Sequence, residues 1–233
     1  MDAGLSSMVK PSDHRTGKGK LLFDAALVLA SVLVPVLLTS CESIGGKYGP
    51  GAGIFDTVIV DAGHGGQDQG AKSVSGAPEK VLTLDTARRL AAVLRTNGVR
   101  VIETRTGDYF VTLGGRVAVS NKTNRAVFVS VHYNWTKRRG AQGIEIYFND
   151  RRSMRLAANI LKETLGVYHT NNRGIKSRGL YVLSHNQRPA VLCELGFVSC
   201  PGDNRNLQSA KVRQHLAEKV AAGILAEQAG RIP

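Results

Sequence analysis

The chain has 233 residues, 42% of them hydrophobic, and carries a formal net charge of +13. That length and apolar content exclude a disordered or fibrous chain and suit one domain with a sizeable core plus an extension. The charge favours an anionic partner such as nucleic acid, anionic lipid or an acidic wall polymer, without choosing among them. Residues 1–40 hold four bases and three acids, so 27 bases and 15 acids remain beyond them and the +12 belongs to the rest of the chain.

Leu21 to Leu38 is an apolar run with basic residues upstream, the shape of an export signal. It ends in Leu38-Thr39-Ser40-Cys41, a small residue before a cysteine, which resembles the lipidation signal of bacterial lipoproteins. Residues 1–40 are therefore expected as a lipoprotein-type signal peptide and Cys41 as the lipidated residue; an uncleaved membrane anchor is the alternative. Glu42 after the cysteine, in place of the Asp of proteins retained at the inner membrane, favours the outer membrane, on the periplasmic side. Residues 41–53 are glycine-rich without periodicity and are expected as a flexible tether, reaching ~40 Å at most.

Thr57 to Val60 reads as a buried strand, followed by Asp61-Ala62-Gly63-His64-Gly65-Gly66, a tight loop with a histidine at the strand's mouth. Such a loop could cradle phosphate, but no Gly-Lys-Ser/Thr follows and no G-x-G-x-x-G is completed. From Pro78 to Gly98 apolar residues recur at helical spacing, with Val81, Leu84, Ala87, Leu90, Ala91 and Leu94 on the expected buried stripe. Glu79 falls at the amino end of that helix, where an acid also suits the helix dipole. A strand over 99–104, a helix over 112–124 and a strand over 125–131 follow, the last running into Ser130-Val131-His132-Tyr133-Asn134-Trp135. Residues 142–148 predict a strand, 151–165 a helix, 172–176 a polar turn, 180–183 a short strand, 190–195 a buried strand and 206–229 one terminal helix. The two remaining cysteines, Cys193 and Cys200, are expected unpaired, Cys193 as a small hydrophobe.

Two histidines at the ends of two strands change the weight of each, because parallel neighbours deliver their terminal residues to one edge. His64, Glu79 and His132 form a set of two imidazoles and a carboxylate, the donor type of a catalytic zinc site, with one position left open. One Zn2+ per chain is the cofactor this predicts. Glu194 lies within the apolar run 190–195 and needs either an arginine partner or a function. Beside such a site it can take a proton from attacking water and pass it to a departing amine. Asp61 either fixes the tautomer of a ligand imidazole or is an ordinary loop acid.

The pieces DAGHGGQDQGA (61–71), EK (79–80), TR (104–105), LGGR (113–116), SVHYN (130–134), GIEIYF (143–148), NRGIK (172–176) and PAVLCELGF (189–197), in this order and spacing, resemble the zinc-dependent N-acetylmuramoyl-L-alanine amidases of cell-separation enzymes, spore-cortex enzymes and phage endolysins. The resemblance covers residues 56 to 228. It implies an α/β fold, a single domain (54–233) with a twisted, mostly parallel mixed sheet flanked by helices on both faces. It implies cleavage of the amide between the lactyl group of N-acetylmuramic acid and the L-alanine of the stem peptide in peptidoglycan. Its zinc ligands fall on His64, Glu79 and His132 and its catalytic glutamate on Glu194; Asp61, Asn134 and Arg173 are further residues that support the ligands or meet substrate. Ala62, Thr83 and Cys200 depart from the family's usual proline, asparagine and asparagine, and Tyr133 and Trp135 replace small residues, either lining the cleft or covering the sheet edge. Division-associated relatives insert a plug helix after the strand matching 143–148; here only Asn149 and Asp150 separate strand and predicted helix, so no plug is expected, with an activator protein left open. Partners expected are peptidoglycan and, through the lipid anchor, a membrane; the chain is expected to act as a monomer without nucleic acid. The rival readings are a zinc peptidase acting on stem peptides and a non-catalytic peptidoglycan-binding lipoprotein.

Overall fold

Residues 47–138 and 140–233 are described by the structure, a computed structural model. The expected signal peptide and the lipidated Cys41 lie outside them. Among the described residues no helix is long and apolar enough to cross a membrane.

Six strands form one sheet: β1 (Thr57–Ala62), β2 (Arg100–Glu103), β3 (Ala126–Asn134), β4 (Ile144–Phe148), β5 (Asn172–Ser177) and β6 (Ala190–Phe197), in the order β2-β1-β3-β6-β4-β5. Every pairing is parallel except β4 with β6, so the sheet is mixed and mostly parallel, as expected. Alternation along each strand sorts side chains to two faces. Val58, Val60, Val127, Val129, Ile144 and Ile146 pack under α1 (Glu79–Thr96), α3 (Met154–Thr164) and α6 (Ala210–Gln228), forming the larger core. Ile59, Phe128 and Leu192 pack on the opposite face with Val117 of α2 (Leu113–Asn121) and Val182 and Leu183 of α4 (Tyr181–Ser184).

The structure corrects the sequence reading at several points. Residues 180–183 fall in the single turn α4 and its N-cap Leu180 rather than in a strand, with Ser184 N–H donating to Leu180 O at 2.8 Å. A four-residue apolar run has too little length to separate the two periods. Residues 172–176 are the edge strand β5, paired with β4 through an irregularity in register between Ile144 and Ile146. Its polarity reflects its edge position, where only Ile175 packs on the core. The single terminal helix is two, α5 (Pro201–Leu207) and α6, because Ser209 between them turns to extended backbone at ψ 119°; Asp203 of α5 is buried as acceptor for the N–H groups of Gly143 and Phe197, both at 2.9 Å. In α1, Val81 is exposed; Thr83 and Thr86 face inward, bonded to Gly63 O and to the Tyr133 hydroxyl.

The glycine-rich stretch expected as a free tether is docked over its last residues. Gly49 and Gly51 are buried, and Ala52 N–H donates to Oε1 of the buried Glu227 at 2.6 Å. Glu227 in turn binds Arg155 of α3 at 2.8 Å. Cys193 and Cys200 are both buried free thiols.

Candidate metal centre

The loop after β1 is held from below by two buried arginines. Arg105 donates to the carbonyls of Ala62 and Gly63 at 2.9 and 2.8 Å. Arg116 donates to Ala62 O at 2.6 Å, to His64 O at 2.7 Å and to Asp61 Oδ1 at 2.7 Å. Thr83 Oγ1 adds a bond to Gly63 O at 2.7 Å. This clamp offsets a local strain: His64 sits at φ 62°, a left-handed conformation that non-glycine residues seldom keep without reason. Charge-assisted bonds to carbonyls contribute about 1.5–3 kcal/mol each, enough together to hold such a conformation.

Asp61 touches no imidazole. Paired in register with Ser130, it is directed into the sheet face and accepts from Arg116, from Thr104 Oγ1 at 2.5 Å and from Ser130 Oγ at 2.6 Å. The residue that fixes a ring is Asp68, which meets His64 Nδ1 at 2.9 Å and accepts from Gly70 N–H at 3.0 Å. With Nδ1 engaged, Nε2 of His64 is the nitrogen left to coordinate.

That Nε2 lies 3.1 Å from Glu79 Oε2, and Nδ1 of His132 lies 3.1 Å from Glu79 Oε1. One donor atom from each of the three residues falls within 4.8 Å of the other two. Glu79 is the first residue of α1, but its carboxylate does more than face the helix dipole. It also accepts the N–H of Tyr133 and of Ala71, each at 3.0 Å. Burial works to raise its pKa, yet the hydrogen bonds from His132 and His64 outweigh burial and hold the carboxyl well below the usual range. Two glycines make room for the rings. A Cβ on Gly63 would stand 2.3 Å from His132 Cε1, and one on Gly70 would stand 2.6 Å from His64 Cδ2. Two imidazoles and one carboxylate, without thiolate, converging at a cleft wall suit a catalytic zinc site. About a fifth of each imidazole side chain is exposed, so among the described residues no segment plugs the site.

Glu194 lies on β6 in register with His132 of β3 and, on the other side, with Glu145 of β4. Its Oε2 is buried with no hydrogen-bond partner among the described residues, so the alternative of an arginine ion pair is not realised. Burial, then the nearby charges of Glu79 and Glu145, push its pKa well above the ordinary carboxylate value. Glu145 is the opposite case. It accepts from Asn134 Nδ2 at 2.7 Å, from Arg173 Nε at 2.8 Å and from Tyr147 and Lys176. Asn134 and Arg173 thus act on Glu145 and not on the metal ligands. Tyr133 is buried in the main core while Trp135 is about half exposed.

Two cavities flank the cluster. One of about 420 Å³ is largely apolar and is lined by His64 and His132 together with Phe110, Leu113, Leu180 and Tyr181. The other, about 510 Å³, is polar and is lined by Asn134, Arg138, Gln142, Glu145, Tyr147 and Arg173. Sequence reasoning missed the roles of Arg105, Arg116, Asp68 and Glu145. All four fall inside the short motifs quoted above, which was the signal at hand.

Residues 58–226 match the family described as N-acetylmuramoyl-L-alanine amidase. The chain is 30% identical over 174 residues to the N-acetylmuramoyl-L-alanine amidase LytC of Bacillus subtilis, covering 73% of this chain and 35% of that protein. It is 35% identical over 169 residues to the probable cell wall amidase LytH of Staphylococcus saprophyticus, covering 70% of this chain and 55% of that one. It therefore spans about a third and about half of these two relatives. Among solved structures, the amidase AmiC2 of Nostoc punctiforme superposes with a TM-score of 0.70 at 36% identity, over 72% of this chain and 94% of that chain.

Proposed function

Because the chain belongs to the N-acetylmuramoyl-L-alanine amidase family, we propose that it cleaves the amide between the lactyl group of N-acetylmuramic acid and the L-alanine of the peptidoglycan stem peptide, using zinc held by His64, Glu79 and His132. The observation that carries this reading is the convergence of those three donors beside a glutamate, Glu194, whose Oε2 has no partner among the described residues. Zinc bound there would polarise the scissile carbonyl and lower the pKa of water toward ~7.

The chain's own groups do the rest. Asp68 and the glycines Gly63 and Gly70 fix the imidazoles, and Arg105 and Arg116 hold the loop that carries His64. Glu194 removes the proton from the attacking water and delivers it to the departing L-alanine nitrogen. Burial raises the proton affinity of its carboxyl, which suits a group that must hold the proton between those events.

Relatives described as cell wall amidases support a location outside the cytoplasm. The finer reading, export by residues 1–40 and anchoring of a lipidated Cys41 in the outer membrane, rests on the sequence pattern. Labelling with a radioactive or clickable fatty acid, lost in Cys41→Ala, tests the anchor. The reaction itself is tested by mass spectrometry of peptidoglycan digested by zinc-loaded protein with a chelated control. Release of stem peptides with a free L-alanine amino terminus and intact muramic acid is expected. Cleavage only within stem peptides would replace the amidase reading with that of a peptidase.

A further inference from the structure

The polar cavity on the far side of Glu194 contributes nothing to the metal ligands, yet it is a built site. Its floor is Glu145, 2% exposed, whose single negative charge is met by two cations, Arg173 and Lys176. Each of these is about a third exposed, at 34% and 35%. Arg173 spends only its Nε donor on Glu145, and its guanidinium carbon lies 4.9 Å from the centre of the Phe197 ring, a contact that favours the cation over the ring face. Four further N–H donors of that guanidinium remain. Arg138 lines the same cavity and makes no side-chain hydrogen bond or ion pair among the described residues. The cavity wall therefore carries two cations, Arg138 and Arg173, against one carboxylate whose charge Lys176 also meets.

We propose that this cavity is the peptide end of the cleft and that Arg138 and Arg173 bind a free carboxylate on the residue that follows L-alanine in the stem peptide. The inference rests on the amidase reading and extends it to substrate choice. Its spacing is consistent. His132, Glu194 and Glu145 stand in register on three adjacent strands, so the cavity floor lies about 10 Å from His132. Two extended residues beyond the cleaved bond reach about 7 Å, and an arginine side chain closes the remainder. A carboxylate meets a guanidinium through paired charge-assisted bonds, whereas a primary amide at the same position brings donors toward donors. The opposite cavity is largely apolar, bordered by Phe110 and Tyr181, and its one arginine, Arg116, is buried and already bonded to Asp61 and to the carbonyls of Ala62 and His64.

The test compares two substrates, N-acetylmuramoyl-L-alanyl-D-glutamate with its α-carboxylate free or converted to the primary amide, cleaved by the zinc-loaded protein. The free acid is expected to be preferred by roughly tenfold in kcat/KM, mainly through KM. Arg138→Gln, which breaks no internal side-chain bond, is expected to bring the ratio toward one, and Arg173→Gln to do the same. Equal rates on both substrates by the unaltered protein would overturn the subsite and leave the amidase reading intact. A preference that survives in both variants would overturn it equally. Cleavage of neither substrate, when whole peptidoglycan is also untouched, removes the amidase reading and this inference with it.

Discussion

Glu194 and Glu145 face each other residue for residue across the antiparallel seam of β6 and β4, on the same side of the sheet, and they live under opposite rules. Glu145 is almost wholly buried but has four donors, among them Lys176 and Arg173. Burial alone would raise its pKa, and those donors outweigh it and leave the carboxyl below its ordinary value. Among the described residues Glu194 has no compensating donor for Oε2, so the burial effect stands and its pKa rises. Adjacent positions in one sheet thus give a carboxylate fixed as an anion and a carboxyl ready to carry a proton. Partners, not depth, decide which is which.

The contrast can be broken in several ways. The largest effect is expected from His132→Ala, which removes a ligand: bound zinc measured by atomic absorption should fall well below one per chain, with hydrolysis at background and the fold retained by circular dichroism. Chelation of the unaltered protein should have the same effect on activity and be reversed by added zinc. Next comes Glu194→Gln, expected to lower kcat by about 10²–10⁴-fold at full zinc occupancy without lowering Tm, since it removes a carboxyl that has no partner. A Glu194→Gln protein as fast as the original would sink the proton-transfer role. Asp68→Asn weakens the hold on His64 Nδ1 and is expected to cost 10–100-fold in zinc affinity, read by competition with a metal-binding dye.

The smallest of these effects concerns the other carboxylate. Glu145→Gln leaves Arg173 and Lys176 without their anion, though both can turn to solvent, so a loss of about 1–2 kcal/mol in urea unfolding is expected. The sign with pH follows from the lowered pKa. The stabilisation is present above the unfolded value near 4.5 and is lost as pH falls through the lower folded value. Glu145→Gln should therefore flatten the acid limb of the stability curve below about pH 4.5. An unchanged acid limb would show that Glu145 gains nothing from its partners.

The positions of the strands were legible where apolar runs were long. Val58–Val60 is unbroken and β-branched, Val127–Val131 and Val191–Leu195 are apolar but for Ser130 and Glu194, and each became a central strand. The short edge strand β2 was also legible from its alternation, but β5 and α4 were not, because β5 takes its identity from hydrogen bonds to β4 and the single turn α4 from the core it caps. At the site, the residue types of His64, Glu79, His132 and Glu194 were readable from their spacing and neighbours. The supporting bonds were not. Asp61, near the end of β1, and Asp68, in the loop after it, are both acids near His64 in the chain, and only the direction of the side chains separates the one that pairs with Arg116 from the one that holds the imidazole.

The sequence by itself thus carried the fold class, through its resemblance to the amidase family, and named His64, Glu79, His132 and Glu194 as candidates, through residue chemistry at and near the ends of apolar strands. The tertiary structure alone decided which carboxylate is satisfied and which is left bare. Hydrogen-bond partners of buried charges come from strands and loops far apart in the chain, and no local pattern records them.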